Sequence, residues 1–540
     1  MRQSEDQGDI CGKKMNCAMK NFLFSAAMLL AASCTGSLND SPGLPGDGYG
    51  ASLSHEMIVL GDHLEDPYSV ENITKALESL YPTKADRVVV DATHLYVRFL
   101  PADEEQFEEL EEAGLELLDH PVDYEIVREG DYYHDPEVPE GDITWQYAVV
   151  DQDFEFPEHI EYEILDNCYI PGTGATKADW IDWEAVERES YRLTGNAGML
   201  APESKAGESG TPQGRITIED DKAENSLSGV KGVKVSCNSF VKFAHGYTDS
   251  EGYYKVNKNF NSRPRYRLVF KNSKGFGIGF NLLLQPASAS TLGKNSPKGV
   301  DLTVTSSSER KLFTRCVVNN AAYEYYESCR NDDDNIRTPP SNLRIWLFQN
   351  LDASSAVMLQ QGALIDDSII SDFLGEYTFL IKIFLPDLTI GLKGASDYAE
   401  VYSRTIHELA HASHFMQVGK SYWNQYIKFV ITSFVTSGFV TYGTGTEQGA
   451  GYCEVGEMWA YYLQSKFYRE RYNMPDIAFG TQFWFYPQIL LYLDDRGLNR
   501  FRIFAALTSD ISSREMLKKK LTSMYPEYKS DIIQAFGRYN

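Results

Sequence analysis

Residues 397–416 read DYAEVYSRTIHELAHASHFM, and this stretch decides what the C-terminal part of the chain must look like. Asp397, with Glu400 three residues later, has the spacing of a capping box and predicts that a helix begins at Tyr398. The helical pattern continues to Met416. The apolar side chains that we expect to face the core and hold this helix rigid are Ile406, Leu409 and Ala410.

The run His407-Glu408-Leu409-Ala410-His411 carries the chemistry of this helix. Histidines four residues apart leave the same helix face, so His407 and His411 can present two imidazoles to one zinc ion. Glu408 is turned by about 100° from His407. Its carboxylate can therefore reach a water at the metal without being a ligand, as a general base must. The run predicts a site for one zinc ion (Zn2+) and hydrolysis by an activated water.

The third ligand separates the classes of such sites. A metzincin would have a glycine at 414 and a histidine at 417, where this chain has His414 and Gln417. The alternative is a glutamate on a later helix, and GYCEVGEMWAYY at 451–462 offers Glu454 and Glu457. The Glu-Met-Trp-Ala run that starts at Glu457 resembles the glutamate helix of gluzincins of the lethal-factor type, with a methionine where that family has an aromatic residue.

The resemblance implies roles for individual residues. Glu457 is the implied ligand and Glu454 the runner-up, which would otherwise orient a ligating histidine. The family also has a tyrosine shortly before the ligand that stabilises the oxyanion; Tyr452 is the nearest match and Tyr442 the alternative. His414 lies one turn beyond the second histidine, where it either supports a ligand or is a buried structural residue.

The same resemblance implies a zincin-like, mostly helical metallopeptidase domain with a small sheet over residues 290–540. Glu408 would take a proton from the water that attacks a peptide carbonyl and return it to the leaving amine. A peptide or protein is the expected substrate. The strand expected at 387–391 would line the cleft and pair with an extended substrate, because free strand edges accept peptides.

A small β-sandwich is expected at residues 214–285, where short β-rich segments alternate with turn signals. Its two most informative segments are GVKGVKV at 229–235 and TDSEGYY at 248–254. This pair resembles the hallmark of the carboxypeptidase regulatory-like domain. Asp249 and Gly252 would make the hairpin turn, and the aromatic residue after them would enter the core.

The region before the sandwich is less distinctive. Residues 55–195 are expected to be an N-terminal α+β region, followed by a linker at 196–213. Residues 55–130 alternate strand and helix signals in the order βαββαβ, which indicates a split-βαβ fold, while 131–195 is expected to be mostly irregular. Because protease propeptides often have this shape, residues 55–130 could autoinhibit; a purely structural role is the alternative. The overall fold class predicted is therefore multi-domain α+β.

The N-terminus has the composition of a targeting segment. In residues 1–34, lysines precede an apolar stretch at 22–32, which is too short to span a bilayer as a mature helix. The Leu-Ala-Ala-Ser-Cys sequence that ends at Cys34 resembles a bacterial lipoprotein box, which implies lipidation of Cys34, export and an outer-membrane anchor on the cell surface or periplasmic face. Plain secretion is the alternative. Residues 35–54 form a Gly-, Ser- and Pro-rich tether.

Charge and cysteine usage exclude several other classes of protein. The net charge is −27, and no basic stripe is present, so nucleic acid is not expected as a partner. Membrane contact is expected only through the lipid anchor. Beyond Cys34 five cysteines remain, none in a CxxC pair, which argues against a cysteine-based zinc site. Cys316 and Cys329 should share a helix and lie too far apart to form a disulfide.

Two functions fit these observations. The first is a zinc peptidase with the residues named above. The second is a surface binding or adhesion lipoprotein whose peptidase domain is degenerate and does not hydrolyse peptides. All the catalytic residue types are present, which favours the enzyme.

Overall fold

The protein is a mixed α/β chain in the computed structural model, which describes residues 57–83, 88–139, 141–172, 180–201, 210–279, 285–330, 336–363, 385–436 and 442–539. Within these ranges, eleven α-helices and seventeen strands are arranged in five small sheets. The expected signal segment, the lipidation site at Cys34 and the tether at 35–54 lie outside the described residues.

The N-terminal region contains five strands and three helices: β1 (Val59–His63), α1 (Val70–Leu80), β2 (His94–Leu100), α2 (Glu104–Glu112), β3 (Tyr124–Arg128), β4 (Gln146–Asp151), β5 (Glu161–Cys168) and α3 (Trp183–Leu193). The two early helices begin where their caps predict. Ser69 Oγ accepts a hydrogen bond from Asn72 N at 3.1 Å at the start of α1, and Asp103 Oδ1 accepts one from Gln106 N at 3.0 Å at the start of α2.

The strands of this region do not form the split-βαβ sheet that the sequence predicts. β1 pairs only with β3 in a two-stranded ribbon, and β2 is the centre of a separate antiparallel sheet of order β4-β2-β5. The segment 131–195, expected to be irregular, supplies both partners of β2 and also α3. The prediction was wrong because β4 and β5 satisfy the backbone groups on both sides of β2, so β1 and β3 cannot pair with β2.

Two four-stranded sheets follow, built from β6 (Gln213–Glu219), β7 (Leu227–Gly229), β8 (Lys234–Ser239), β9 (Lys242–Tyr247), β10 (Tyr253–Lys255), β11 (Arg265–Val269), β13 (Ala289–Lys294) and β14 (Leu302–Val304). One has the order β10-β6-β14 with β7 also on β6, and the other the order β13-β11-β8-β9. Alternate residues of both sheets, such as Ile216, Ile218, Tyr266 and Leu268, are fully buried in one cluster. The paired strands continue past residue 285 to Val304.

The turn expected in TDSEGYY is confirmed. Asp249 Oδ1 accepts hydrogen bonds from the backbone N–H groups of Glu251 and Tyr253, both at 2.9 Å. Gly252 has φ +84°, and a Cβ there would lie 2.1 Å from the carbonyl oxygen of Ile216, so no other residue fits. Tyr254 enters the core.

The C-terminal region has one sheet, of order β12-β15-β17-β16, formed by β12 (Gly277–Gly279), β15 (Arg344–Phe348), β16 (Ser355–Ala356) and β17 (Leu388–Gly391). β12, β15 and β17 are parallel, and β16 is antiparallel to β17. Because β17 is paired on both sides, the expectation that 387–391 offers a free edge to a substrate was wrong. β16 pairs with this edge of β17, and no local sequence pattern predicts that pairing.

Eight helices of this region are α4 (Arg310–Ser328), α5 (Tyr398–Val418), α6 (Lys420–Thr436), α7 (Ala450–Tyr472), α8 (Gln488–Asp495), α9 (Arg500–Ala506), α10 (Arg514–Met524) and α11 (Lys529–Arg538). α5 begins as predicted: Asp397 Oδ1 accepts from Glu400 N at 2.9 Å. The reciprocal bond of the capping box shifts by one residue, because Glu400 Oε2 accepts from Ser396 N at 2.6 Å.

α5 is the central helix of this region and packs between α4, α7 and the sheet. Ile406, Leu409 and Ala410 are fully buried, as expected. α7 runs antiparallel to α5, since Trp459 Nε1 donates to the carbonyl of Ala410 at 3.1 Å while Arg471, a few turns later, lies over the ring of Tyr402 near the start of α5. The two helices are thus in contact along most of their length.

Several ion pairs join the N-terminal region to the rest of the chain, and they share one arrangement of charges. The carboxylates belong to the N-terminal region and the cations to residues beyond 230: Glu104 and Glu108 with Arg344, Glu111 with Lys271, Glu116 with Lys234, Glu129 with Arg265, Asp131 with Lys311 and Arg315, and Glu187 with Lys242. Glu187 and Lys242 are both nearly fully buried, at 3.0 Å. Removing either partner of such a buried pair would leave the other charge buried and unpaired, so the two residues depend on each other.

The five cysteines of the described ranges are buried and form no disulfide with one another, and Cys316 and Cys329 are among them. None of the helices there is long and apolar enough to cross a membrane.

Deleting residues 55–130 is expected to unfold the N-terminal region rather than release an inhibited enzyme. The deletion removes β2, the only described partner of β4 and β5 in their sheet, and with it Val97 and Phe99, which are fully buried. Circular dichroism and thermal unfolding of the shortened and full-length proteins test this. A shortened protein that melts like the full-length one and cleaves peptides faster would contradict the expectation and favour autoinhibition.

Candidate metal centre

Two imidazoles meet on one face of α5. His407 and His411 are one turn apart, and their Nε2 atoms lie 3.2 Å from each other. The rings are nearly perpendicular, with centroids 4.8 Å apart. Both side chains are buried, with exposures of 4% and 0%. The spacing that the sequence predicts therefore brings both nitrogen atoms to one point.

Glu457 of α7 reaches the same point. Its Oε2 lies 3.4 Å from His407 Nε2, and its Oε1 lies 3.5 Å from His411 Nε2. Zinc binds nitrogen and oxygen ligands at about 2.0–2.1 Å in a tetrahedron, which places neighbouring ligand atoms about 3.3 Å apart. The two Nε2 atoms, at 3.2 Å, and Oε2 with His407 Nε2, at 3.4 Å, are close to that separation. The other carboxylate oxygen, Oε1, lies 3.5 Å from His411 Nε2. His407, His411 and Glu457 thus form a group that could hold a metal ion.

The protonation states suit a cation. Burial opposes ionisation of Glu457, but the two imidazoles outweigh it and lower the pKa of this carboxyl to about 2. Burial, together with the neighbouring imidazole of His411, lowers the pKa of His407 below its usual value. At neutral pH the cluster thus combines an ionised carboxylate with a neutral His407 imidazole, the forms in which these groups bind metals.

Two side chains make hydrogen bonds to the candidate ligands. His407 Nδ1 lies 3.2 Å from Gln464 Oε1, which leaves Nε2 as the free lone pair if Nδ1 carries the proton. The hydroxyl of Tyr426, on α6, donates to Glu457 Oε1 at 2.5 Å. The edge of the Tyr461 ring packs on His407, at a centroid distance of 4.3 Å.

The sequence reasoning missed these three residues. Tyr461 and Gln464 lie four and seven residues after Glu457, hence on the same face of α7, and counting along that helix would have found them. Tyr426 gave no such signal, because it comes from a different helix that only the fold brings near Glu457.

Glu408 is the polar side chain of the site without a protein partner. It is 1% exposed, and neither of its oxygens accepts a hydrogen bond. Burial, and then the charge of Glu457, raises the pKa of the Glu408 carboxyl well above its usual value. A raised pKa makes a carboxylate a better proton acceptor, which is the property that a general base needs.

Glu454, the runner-up for the third ligand, lies elsewhere. Its Oε2 accepts from the backbone N–H of Arg514 at 2.9 Å, and its Oε1 lies 3.2 Å from Arg514 Nε. It thus ties α7 to α10. The role of orienting a histidine, which the sequence gave to Glu454, is taken by Gln464.

The two candidate tyrosines are not part of the three-residue cluster. Tyr452 packs its ring on Tyr422 at a centroid distance of 4.7 Å. Tyr442 is fully buried and lies 5.1 Å from the ring of Phe483. The tyrosine in hydrogen-bond contact with a candidate ligand is Tyr426.

His414 fits the structural interpretation. It is fully buried among aromatic rings, with Tyr422 at 5.3 Å. Burial, and to a lesser degree His411, lowers the pKa of His414 to about 3, so it is neutral. Neither of its ring nitrogens makes a hydrogen bond, so it does not support a ligand through one.

A second group of potential ligands, Asp66, Asp166 and Cys168, lies in the N-terminal region. Its members have protein partners: Asp66 accepts from the backbone N–H of Tyr68 at 2.8 Å, and Cys168 Sγ donates to Asp66 at 3.9 Å. Burial raises the pKa of Asp66 to about 8. A protonated carboxyl with these partners needs no cation.

Searches of protein-family models, of curated proteins and of solved structures gave no match to this chain.

Replacing Glu408 with Gln is expected to stabilise the zinc-free protein. The folded-state pKa lies above the unfolded value of 4.5, so the wild type loses stability as pH rises above the unfolded value. The variant has no carboxyl at this position whose ionisation is opposed by folding, so it should be more stable than wild type by about 1–3 kcal/mol at pH 8, and by less at pH 5. Urea unfolding at both pH values, in the presence of a chelator, measures the difference. An equal or lower stability of Glu408→Gln at pH 8 would contradict the assignment.

The third ligand can be identified by a matched pair of substitutions on α7. Glu457→Gln removes a ligand charge at the cluster, and we expect zinc to be lost on dialysis against a weak chelator. Glu454→Gln removes a carboxylate of the same helix that contacts Arg514, and the zinc content should stay at one ion per chain. Metal analysis of both variants decides the question, and the reverse result would make Glu454 the ligand.

Proposed function

We propose that this protein is a zinc-dependent peptidase that uses His407, His411 and Glu457 as metal ligands and Glu408 as the general base. The observation that carries the proposal is the convergence of two imidazole nitrogens and one carboxylate at 3.2–3.5 Å, close to the ligand separations of a tetrahedral zinc site. Beside them lies a buried carboxyl without a partner, one residue along the helix from the first ligand. Most buried polar side chains are hydrogen-bonded, so a buried carboxyl without a partner calls for an explanation other than fold stability.

Each residue has a distinct part in the proposed reaction. The bound zinc ion would supply Lewis-acid polarisation and lower the pKa of water toward neutrality. Glu408 accepts the proton of the attacking water and delivers it to the leaving amine of the peptide. Gln464 and Tyr426 hold His407 and Glu457 in place. Proton transfer by a placed carboxyl contributes about 10²–10⁴-fold to such reactions.

The finer classification is part of this proposal. We assign the site to the gluzincin type, with HExxH followed by a glutamate on a later helix, similar to lethal-factor-like catalytic domains. The two sheets over residues 213–304 are proposed to be a carboxypeptidase regulatory-like sandwich. Their shared core and the Asp249 turn support this.

The substrate and location follow from the same reasoning. A peptide or protein is the proposed substrate, and the net charge of −27 argues against nucleic acid. Lipidation at Cys34 would anchor the protein to the bacterial outer membrane, on the cell surface or the periplasmic face. Incorporation of labelled palmitate into wild type and its absence in Cys34→Ser would test the anchor.

The enzyme and the adhesion alternative are separated by Glu408→Gln. With zinc bound in both proteins, we expect wild type to cleave members of a quenched-fluorescence peptide library, and the variant to be slower by about 10²–10⁴-fold. Glu454→Gln is the control, because it changes the same functional group outside the cluster. If wild type holds one zinc ion and cleaves nothing, the degenerate domain is the better interpretation. If the variant retains full activity, Glu408 is not the base.

A further inference from the structure

Tyr426 makes the shortest hydrogen bond to the candidate ligands. Its hydroxyl donates to Glu457 Oε1 at 2.5 Å, and its ring is only 3% exposed. The other oxygen, Oε2, is buried without a hydrogen bond and faces His407 Nε2 at 3.4 Å. The two oxygens of this carboxylate face different imidazoles and differ in their hydrogen bonding. Oε1, which lies 3.5 Å from His411 Nε2, accepts the Tyr426 hydroxyl, whereas Oε2 has no hydrogen-bond partner.

The ring of Tyr426 is held by its neighbours. It stacks on Trp423, one turn earlier on α6, with centroids 4.6 Å apart and planes 28° from parallel. Trp423 Nε1 in turn donates to the carbonyl of Ala356, in β16, at 3.1 Å. Both rings lie against His411, at 5.7 and 5.6 Å. The hydroxyl is thus fixed by aromatic packing and by a bond to the sheet.

We propose that Tyr426 is a positioning residue that keeps Glu457 a monodentate ligand, bound through Oε2. This inference rests on the metal site of the proposed function. A carboxylate bound through both oxygens would fill the coordination position that a hydrolytic site must keep open. The hydrogen bond from the Tyr426 hydroxyl to Oε1 would prevent this second oxygen from binding the metal. Charge-assisted bonds of this kind are short and about twice as strong as neutral ones.

The alternative is that the hydroxyl only stabilises the fold, and α6 itself provides the control. Tyr422 lies one turn before Tyr426, is 4% exposed, and donates its hydroxyl to the carbonyl of Ile511 at 3.0 Å. Tyr422→Phe therefore removes a buried hydrogen bond from the same helix without touching a candidate ligand.

The experiment compares wild type, Tyr426→Phe and Tyr422→Phe as full-length proteins. Zinc affinity is measured by competition with a chromophoric chelator, and coordination by the visible spectrum of the cobalt(II) form. We expect Tyr426→Phe to bind zinc about 10–100-fold more weakly, the usual effect of losing a group that orients a ligand. Its cobalt spectrum should lose intensity, because coordination numbers above four give weaker bands. Tyr422→Phe should have the zinc affinity and the cobalt spectrum of wild type and should unfold at a lower temperature.

The possible results separate the inference about Tyr426 from the peptidase proposal. Unchanged affinity and spectrum in Tyr426→Phe, or equal changes in both variants, overturns the inference while leaving the peptidase proposal intact. A wild type that binds no zinc overturns both. If Tyr426→Phe folds poorly, Trp423→Phe gives the same test, because it keeps the hydroxyl but alters the ring that fixes it. Trp423→Phe should then weaken zinc affinity less than tenfold and lower the intensity of the cobalt spectrum, as expected for Tyr426→Phe. A wild-type zinc affinity and cobalt spectrum in Trp423→Phe would overturn the inference.

Discussion

The contact between Glu457 and the two histidines of α5 is the constraint around which the C-terminal region is organised. Three polar side chains at 0–4% exposure meet with nitrogen and oxygen atoms 3.2–3.5 Å apart. Burying such groups costs free energy unless each finds a partner or a metal. The packing of α5 against α7 over most of their length offsets this cost. The contacts of Gln464 with His407 and of Tyr426 with Glu457 offset it further.

The far end of the helix pair is held by a different interaction. Arg471, in the last turn of α7, donates to Asp220 at 2.8 Å and lies 2.9 Å from Glu324 of α4. Its guanidinium also covers the rings of Tyr398 and Tyr402 at the start of α5, at 4.7 Å each. Asp220 directly follows β6, so the sheet that contains β6 is joined to the helices that carry the candidate site. Arg471 thereby links this sheet, α4 and the first turns of α5 to the end of α7.

Glu408 shows where stability and function conflict. Its buried carboxyl has no hydrogen-bond partner and a raised pKa, so it destabilises the folded chain when ionised. Buried carboxyls with a raised pKa are concentrated at functional sites, which is consistent with the role proposed for Glu408. The satisfied group of Asp66, Asp166 and Cys168 makes the contrast, since hydrogen bonds there account for the buried carboxyl.

The sequence alone determined what depends on local spacing. The capping residue Asp397 predicted where the helix begins, and the four-residue spacing of His407 and His411 predicted that they share one helix face. The turn at Asp249 was predicted in the same way, because each of these features is set by a few consecutive residues. The tertiary structure decided what depends on which elements meet. It placed Glu457 rather than Glu454 beside the histidines and brought in Tyr426 from another helix. It also closed the edge of β17, and it gave β2 partners from a segment expected to be irregular. Those outcomes follow from long-range pairing of backbone groups and buried side chains, which no local pattern encodes.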